Sequence, residues 1–277
     1  MKYRPIYLFF VGVFVFISAL TGEAFTQKRI LILSWNVESG DNNSSTIANQ
    51  LESFEGYDLI GLTEVRLENA EDYTDAASEG EGAQNSSQTD FRHVVSNTGS
   101  NDRMMIIWDN KRFELVGQMQ ELNDLNPTGN HRAPMFVKLK LRGTGENFIF
   151  MINHLARGDA DVRKQQAAGL KEWAENQNTP IIAVGDYNFD YDIDDGNGND
   201  AMEQMLKDDV WKWIRPVRLY KSQASKRFNS VLDFIFVTNQ PSTWQVDSWI
   251  LSDGKQLKDD SEHSDHRPVE CRILILK

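Results

Sequence analysis

The chain has 277 residues, of which 40% are hydrophobic, and its seven Trp and 15 Phe indicate a sizeable core and argue against general disorder. Its formal net charge is −12, from 29 basic and 41 acidic residues, which argues against tight binding of nucleic acid to a broad basic surface. The one cysteine, Cys271, excludes an intrachain disulfide. It lies in an apolar run, so we interpret it as a core thiol rather than a nucleophile.

The N-terminal segment has the pattern of a secretory signal peptide. Lys2 and Arg4 precede an apolar run over 6–20, and small residues follow that run. We therefore predict a signal peptide over 1–24 that is cleaved to leave a secreted or periplasmic protein of residues 25–277, with no stable membrane insertion after cleavage. The alternative is an uncleaved anchor, although the run is short for a membrane span.

The rest of the chain alternates predicted strands with helices. Helices are predicted over 46–55 and over 161–177, the second with Asp161 as its N-terminal cap. Residues 67–90 are acidic and rich in Ser, Gly and Asn, which indicates a solvated surface loop or a frayed helix. The predicted strands cover residues 30–33, 58–62, 91–95, 103–108, 113–119, 133–141, 148–153, 181–184, 231–237, 244–250 and 268–276.

Strand-rich halves with helices between them favour an α/β (α+β) fold, in which two mixed β-sheets pack face to face and are flanked by helices. The sequence has no repeat and no long linker, so we expect one domain over 25–277. Trp211 and Trp213 are interpreted as core residues. The alternative, a pair of membrane-docking aromatics, lacks an apolar hairpin to carry them.

Six short polar motifs lie where the apolar runs stop or are interrupted. Polar groups at strand ends converge on one edge of a sheet, where a site can form. Carboxylates, amides and two histidines suit a hard divalent cation together with acid–base chemistry, so the sequence predicts an enzyme. The motifs are Ser34-Trp35-Asn36, Thr63-Glu64-Val65-Arg66, Asn153-His154-Leu155, Gly185-Asp186-Tyr187-Asn188, Leu232-Asp233-Phe234 and Ser264-Asp265-His266.

Two of these residues are candidate metal ligands on the first pair of strands. The Glu64 carboxylate suits Mg²⁺, Mn²⁺ or Ca²⁺, whereas no Cys/His cluster suggests zinc. Its alternative is a salt bridge to Arg66 on the same strand face. The Asn36 amide is suited to completing a metal shell or contacting a phosphate oxygen, with a turn-capping role as the alternative.

The remaining motifs carry candidate acid–base groups. His154 and His266 can donate or remove a proton near neutral pH if a carboxylate orients each ring, although a lone His is more often structural. Asp186 and Asn188 follow an apolar strand and point to one side, as a pair that positions water and contacts phosphate. Asp233 interrupts an apolar strand, where a charge is costly, so it needs a partner such as His266.

In order and spacing, these motifs over 30–276 resemble the endonuclease/exonuclease/phosphatase superfamily, the deoxyribonuclease-I-like fold. The resemblance implies a four-layered α/β sandwich that hydrolyses a phosphoester with the help of a divalent metal, Mg²⁺ or Mn²⁺. It places Asn36 and Glu64 at metal-binding positions and Asp265 as a further carboxylate on the metal side.

The resemblance also assigns the acid–base positions. Asp186 matches the water-orienting position and Asn188 the phosphate-contacting position, while His266 matches a histidine oriented by the aspartate Asp233. Secreted deoxyribonucleases are similar in finer detail, because they place a second catalytic histidine where this chain has His154.

Three further residues resemble the substrate side of those secreted enzymes. Arg66 closes a segment similar to their Glu-Val-Arg sequence. The acid that orients their second histidine is a Glu, and Asp102 stands at that position here. Arg132 resembles a substrate-side Arg before a strand, with an ordinary surface charge as the alternative. The animal enzymes' disulfides are absent, which points to a bacterial-type relative.

Residues Asp190–Asp200 include a run of aspartates, glycines and asparagines that is similar to a calcium loop. The spacing departs from the EF-hand pattern, because Asp195 stands where Gly is required and no Glu closes the loop. The alternative is an acidic surface loop that repels or selects polyanionic substrates. An additional Ca²⁺ ion at this loop is therefore one of two interpretations.

The function expected from these residues is divalent-metal-dependent hydrolysis of a phosphodiester by in-line attack of water. An endonuclease-like enzyme that acts on nucleic acid as a monomer is the first expectation. The alternative is a phosphodiesterase or phosphatase for a lipid head group or a small phosphoester, which the acidic surface suits at least as well. A non-catalytic binding module with the same fold is the third possibility, and the intact set of acids, amides and histidines argues against it.

Overall fold

The structure is a computed structural model that describes residues 28–38, 42–80, 90–225, 228–252, 260 and 262–276. The signal-peptide prediction over 1–24 and the end of the acidic segment, 81–89, lie outside the described residues.

The described residues form thirteen strands and four α-helices, together with short 3₁₀ turns. The helices are α1 Ser44–Glu52, α2 Ala70–Gly80, α3 Ala160–Glu175 and α4 Asp200–Leu206. The strands are β1 Lys28–Asn36, β2 Leu59–Val65, β3 Phe91–Val95, β4 Arg103–Asp109, β5 Phe113–Leu115, β6 Gln120–Glu121, β7 Met135–Leu141, β8 Asn147–His154, β9 Ile181–Asp192, β10 Lys212–Trp213, β11 Ser230–Thr238, β12 Trp244–Ile250 and β13 Val269–Ile275.

The strands form two mixed sheets, which confirms the predicted fold class. Within the described residues, one sheet has the order β12-β13-β1-β2-β4-β3, and the other has the order β10-β11-β9-β8-β7-β5 with β6 paired to β7. Each sheet has one parallel pair at its centre, β1 with β2 and β8 with β9, while the other pairs are antiparallel. In each sheet, therefore, the two central strands run in the same direction. The site lies where these strands end.

Helices cover the outer face of each sheet. On the first sheet, Ile47 and Leu51 of α1 are fully buried in one cluster with Leu33 and Leu62, which lie on the outer face of β1 and β2. On the second sheet, Trp173 of α3 packs on Phe136 of β7, with ring centroids 5.0 Å apart. The layers are thus helix, sheet, sheet, helix, held by apolar burial.

The two sheets approach each other closely between their central strands. Gly61 of β2 faces Val184 of β9, and a Cβ atom added to Gly61 would lie 2.8 Å from Val184 Cγ2. Ile32 and Ile152 are fully buried in the same cluster between the sheets. A larger residue than glycine at position 61 would push the sheets apart just below the polar ends of the strands.

The largest difference from the predicted elements is the segment after β2. The prediction of solvated chain over 67–90 is wrong for residues 67–80, because a 3₁₀ turn leads into α2 and Tyr73, Ala76 and Ala77 of this helix are buried. Acidic residues occupy the exposed face and dominate the composition. The buried face uses small alanines, which carry a weak hydrophobic signal.

Several element boundaries also differ from the predictions, including those of β5, which ends at Leu115 rather than at 119, and those of α3 and β9. The cap of α3 is Asp159, whose Oδ1 accepts a hydrogen bond from the Val162 N–H at 3.0 Å, and Asp161 lies inside the first turn. Strand β9 does not end before the Gly-Asp-Tyr-Asn motif but continues through it, because β11 pairs with it as far as Asp192. Backbone pairing from a distant strand thus extends β9 beyond its apolar run.

The core interpretations of Cys271 and Trp211 are confirmed. Cys271 is fully buried in β13, and burial raises the pKa of its thiol. Trp211 is 1% exposed and its indole N–H donates to the Leu170 carbonyl, while Trp213 packs on Tyr191. Within the described residues, no helix combines the length and apolar character needed to cross a membrane.

Replacing Gly185 by Ala should destabilise the fold strongly. Gly185 has φ +131°, and an added Cβ would lie 2.0 Å from the Asn153 carbonyl oxygen. We expect a loss of about 2–5 kcal/mol in the free energy of unfolding, measured by urea denaturation. Gly158→Ala is the matched control, because no atom lies within 4 Å of its added Cβ. Equal stability of the two variants would contradict the assignment of close packing at Gly185.

Candidate active site

The site lies where the central parallel pairs of both sheets end. In the first sheet, Asn36 at the end of β1 pairs with Thr63 of β2. In the second sheet, His154 at the end of β8 pairs with Asp186 of β9. Carboxyl ends of parallel strands meet at one edge of each sheet, and the face-to-face packing brings the two edges together.

Asn36 connects the two sheets through its side-chain amide. It is fully buried, and its Nδ2 donates to Glu64 Oε1 at 2.9 Å and to Asp186 Oδ2 at 3.1 Å. Its Oδ1 accepts a hydrogen bond from the Glu38 backbone N–H at 3.0 Å, which fixes the orientation of the amide. Asn36 therefore holds two carboxylates in place, and its role as a metal ligand stays a prediction.

Glu64 is turned into the cleft by a bulge in β2. Its φ is +60°, and the pairing of β2 with β4 shifts register between Thr63 and Val65. A β-bulge re-aims a side chain in this way, and a left-handed conformation at a non-glycine residue indicates a functional constraint. The Glu64 side chain is 27% exposed, and its Oε1 lies 3.7 Å from His154 Nε2.

The first histidine–aspartate contact is formed by His154 and Asp102. His154 Nδ1 lies 3.4 Å from Asp102 Oδ1, a long distance for a hydrogen bond. Asp102 Oδ2 accepts a hydrogen bond from Arg132 Nη1 at 2.8 Å. Burial alone would raise the pKa of Asp102, but His154 and Arg132 hold this pKa below its usual value. Arg132 also approaches the Leu155 carbonyl, at 3.4 Å from Nη2, and its side chain is 12% exposed. These contacts orient the Arg132 side chain towards Asp102.

The second contact, between His266 and Asp233, is shorter. His266 Nδ1 lies 2.7 Å from Asp233 Oδ2, and both residues are buried. The charge that interrupts β11 thus has a partner 33 residues away in the chain. Burial lowers the pKa of His266, but attraction to Asp233 and then to Asp186 and Asp265 outweighs burial and raises this pKa to about 10.

Asp186 lies between the two imidazoles. Its Oδ2 is 3.6 Å from His154 Nε2 and 3.8 Å from His266 Nε2. Its Oδ1 accepts a hydrogen bond from the Asn188 backbone N–H at 2.9 Å. The Asn188 amide donates to the Leu155 carbonyl at 3.1 Å, so this side chain is anchored to the loop after β8. Both histidines therefore present the same ring atom to one carboxylate.

The donor set of the cleft fits a hard divalent cation. Ligand atoms of Glu64, His154 and Asp186 lie within 4.8 Å of one another, and so do those of Asp186, Asp233 and His266. Asp265, with a 25% exposed side chain, adds a carboxylate oxygen 3.6 Å from His266 Nε2. Carboxylate oxygens are the ligands that Mg²⁺ and Mn²⁺ prefer, and the placement of Glu64 and Asp265 on the metal side stays a prediction.

Glu38 is a site residue that the sequence analysis missed. Its Oε2 accepts a hydrogen bond from the Asp265 backbone N–H at 2.8 Å. Burial and then repulsion from the Asp265 and Glu64 carboxylates raise the pKa of Glu38 to about 7, although the Asp265 N–H bond lowers it. The available signal was an acid two residues after Asn36, just past the end of an apolar strand.

Among the described residues, the carboxylates of Asp190–Asp200 are not part of any group of three whose ligand atoms lie within 4.8 Å of one another. Asp190 and Asp192 belong to β9, and Asp192 Oδ1 accepts hydrogen bonds from the backbone of Asp194 and Asp195 at 2.8 and 3.0 Å. Asp200 pairs with a lysine of α3. The carboxylates stabilise turns and surface contacts rather than converging, so the prediction of bound Ca²⁺ is not supported.

The comparison with protein families identifies the class of protein. The model of the Endonuclease/Exonuclease/phosphatase family matches residues 33–266, so the chain belongs to this family. Its members are hydrolases that act on phosphoester bonds. No curated protein matches the sequence.

Solved structures of this family share the fold at low sequence identity. A family protein from Bacteroides thetaiotaomicron superposes with a TM-score of 0.66 and 18% identity, over 91% of this chain and 99% of that one. The mannosyl-6-phosphatase of the same species gives 0.65 and 18%, over 89% and 100%. D. rerio TDP2, complexed with single-strand DNA product, gives 0.58 and 16%, over 89% and 99%.

Replacing Arg132 should impair turnover more than substrate binding. Its guanidinium supports Asp102, which contacts His154. We expect Arg132→Ala to lower kcat by about tenfold or more, as for other residues that orient a functional group, and to shift the pH profile of kcat. Arg157→Ala, an exposed arginine on the neighbouring loop, is the control. An increase in KM alone, with kcat and pH profile unchanged, would instead support the substrate-side role expected from the sequence.

Proposed function

We propose that the protein hydrolyses phosphodiesters by in-line attack of water, with nucleic acid as the substrate class. The observation that carries the proposal is the pair of imidazoles that face Asp186 from two sides, each with its own aspartate behind it. Cleavage of a diester needs a base for the attacking water and an acid for the departing alkoxide. A pair of oriented histidines can serve both needs.

In this mechanism the chain's own groups have distinct tasks. Asp186 orients the attacking water, and Asn188 contacts the phosphate. His154 and His266 share the acid and base roles. Asp233 holds the His266 ring by the 2.7 Å contact, and Asp102 supports His154 more loosely. Proton transfer by positioned side chains contributes about 10²–10⁴-fold to the rate of such reactions.

Glu64 and Asp265, with Asn36 and Glu38 beside them, are the residues that would hold a Mg²⁺ or Mn²⁺ ion. Such an ion supplies positive charge to the phosphoryl oxygens and so lowers the barrier to attack. The charge of the cleft supports this proposal, because burial and then repulsion from the Asp265 and Glu64 carboxylates raise the pKa of Glu38 to about 7. A cation would relieve this repulsion.

A second candidate function is hydrolysis of a small phosphoester, such as a sugar phosphate. The net charge of −12 favours it, because an acidic surface repels a polyanionic strand more than a small anion. The mannosyl-6-phosphatase superposes as well as other relatives do, whereas D. rerio TDP2 with its single-strand DNA product supports the nuclease. The two oriented histidines favour the diester.

The remaining expectations from the sequence belong to the same proposal. We propose that the signal peptide at 1–24 directs export of the protein. We also propose that the enzyme acts on nucleic acid as a monomer outside the cytoplasm. The size of the N-terminal fragment released during export, determined by mass spectrometry of the mature protein, would check the cleavage site.

Replacing His266 should abolish hydrolysis without unfolding the protein. We expect His266→Gln, which can keep a hydrogen bond to Asp233, and His266→Ala each to lower kcat by about 100-fold or more. His263→Ala is the matched control, since His263 pairs with Asp260 at the surface. Thermal melting confirms folding. Near-normal turnover of folded His266 variants would overturn the assigned role.

A substrate panel with and without chelator tests the reaction class. We expect plasmid DNA and bis-p-nitrophenyl phosphate to be hydrolysed with Mg²⁺ or Mn²⁺ and to survive when EDTA is present. RNA, sphingomyelin and mannose 6-phosphate complete the panel. Faster hydrolysis of the sugar phosphate than of every diester would establish the second candidate. Absence of activity on all substrates, or activity that EDTA does not affect, would contradict the proposed metal-assisted hydrolysis.

A further inference from the structure

A second cavity lies on the outer face of the second sheet, away from the catalytic cleft. Along β9, Asp186 and Asn188 belong to the cleft, whereas Tyr187, Phe189 and Tyr191 pack among aromatic rings on the other face. The cavity opens between this face and α4 and has a volume of about 350 Å³. Its lining includes Tyr191, Asn197, Gly198, Glu203, Trp213 and Arg215.

The Arg215 guanidinium packs against two aromatic rings in this cavity. Its guanidinium carbon lies 5.5 Å from the ring centroid of Tyr191 and 5.4 Å from that of Trp213. The two rings contact each other with centroids 4.9 Å apart. Among the ion pairs of the described residues, none involves Arg215, although the residue is exposed. The guanidinium therefore packs on the two rings, and Arg215 is part of the cavity lining.

The packing of Arg215 on the two rings favours one chemical class of ligand. Tyr191 is 4% exposed and Arg215 lies over its ring, so Arg215, whose guanidinium group is planar, covers this ring in the cavity lining. A flat, electron-rich ring can stack on such a plane, as nucleobases do on arginine. A puckered, hydroxylated sugar ring cannot make the same contact. The packing of Arg215 in the cavity lining thus favours a nucleobase as the ligand.

Polar groups at the rim can read the edge of the base. Glu203 and Asn197 are polar residues of the lining, and the Asn197 Nδ2 donates to the Asp195 carbonyl at 3.2 Å. A carboxylate accepts hydrogen bonds from ring N–H and exocyclic amino groups. Guanine presents both on one edge, whereas uracil has no exocyclic amine. The cavity should therefore prefer guanine to uracil.

One residue connects the cavity wall to the catalytic cleft. Gly198 lines the cavity, and the next residue, Asn199, donates its Nδ2 to the Asn188 backbone carbonyl at 2.8 Å. The same Asn199 caps α4 through the backbone N–H groups of Ala201 and Met202. We propose that this cavity is a nucleobase-binding site, which under the proposed function takes a base of the nucleic-acid substrate. The inference rests on the proposed function for its substrate, but base binding can be measured without hydrolysis.

The test is equilibrium binding of GMP to the full chain in EDTA, measured by isothermal titration calorimetry. We expect Arg215→Ala to weaken GMP binding by about tenfold, as the loss of one stacked base contact does. Arg215→Lys keeps the charge but loses the plane, so it should weaken binding equally. Arg218→Ala, an exposed arginine on the same segment that does not line the cavity, should bind GMP as the wild type does.

Two comparisons exclude binding through the phosphate or the sugar. Ribose 5-phosphate should bind wild type and Arg215→Ala equally, and Glu203→Gln should reduce the preference for GMP over UMP. The inference is overturned if wild type binds no GMP, if Arg215→Ala or Arg215→Lys binds GMP normally, or if ribose 5-phosphate competes as well as GMP. If a thermal melt shows that Arg215→Ala does not fold, GMP binding by Arg215→Lys and Glu203→Gln tests the inference instead.

The outcome is independent of the hydrolysis assays. GMP binding that depends on Arg215 in a protein without nuclease activity would retain the cavity as a nucleobase site and reject only the nuclease proposal. Nuclease activity in a protein that binds no GMP would contradict the nucleobase site and leave the proposed function unaffected.

Discussion

The contact on which the candidate site depends is the amide of Asn36, which donates to a carboxylate from each sheet. Glu64 belongs to the first sheet and Asp186 to the second, and both accept from the same Nδ2 atom. The amide can do so because its oxygen is held by the Glu38 backbone N–H. A buried donor shared by two carboxylates offsets part of their desolvation, and it fixes the distance between the two halves of the site. Close packing at Gly61, deeper between the sheets, makes this approach possible.

The second constraint is negative charge. Glu38, Glu64, Asp186 and Asp265 surround the cleft, and two histidines are the basic groups that face them most closely. The raised pKa of Glu38, caused by burial and then by repulsion from Asp265 and Glu64, indicates that its ionised form costs stability. The raised pKa of His266 has the opposite sign of effect, because the surrounding carboxylates stabilise its protonated form. Sites that bind a cation can retain such repulsion between carboxylates, because the bound cation compensates for it.

Backbone strain also occurs in the same place, as it does at Ser100, Asp208, Asp209 and Asn239 among the described residues. Glu38, Glu64, Asn188 and Asp190 all have positive φ without being glycine. Each such residue costs about 1–3 kcal/mol and persists only where its surroundings over-determine it. The surroundings are visible here: the Glu38 N–H is bound by Asn36, Glu64 lies in the bulge of β2, and the Asn188 carbonyl accepts from Asn199. The strain and the hydrogen bonds together aim the carboxylates into the cleft.

The sequence by itself determined eleven of the strands, the two-sheet class and the polar motifs, because burial repeats with the local periods of strands and helices. It did not predict the two-residue strands β6 and β10. Strands β3 and β12 have the predicted limits, and the need of Asp233 for a partner followed from its apolar surroundings. Only the tertiary structure decided that Arg132 supports Asp102, that Glu38 joins the site and that Arg215 lies over Tyr191. Asn36 and Asp186 are 150 residues apart, and contacts at such separation depend on sheet order and register, which no local pattern encodes.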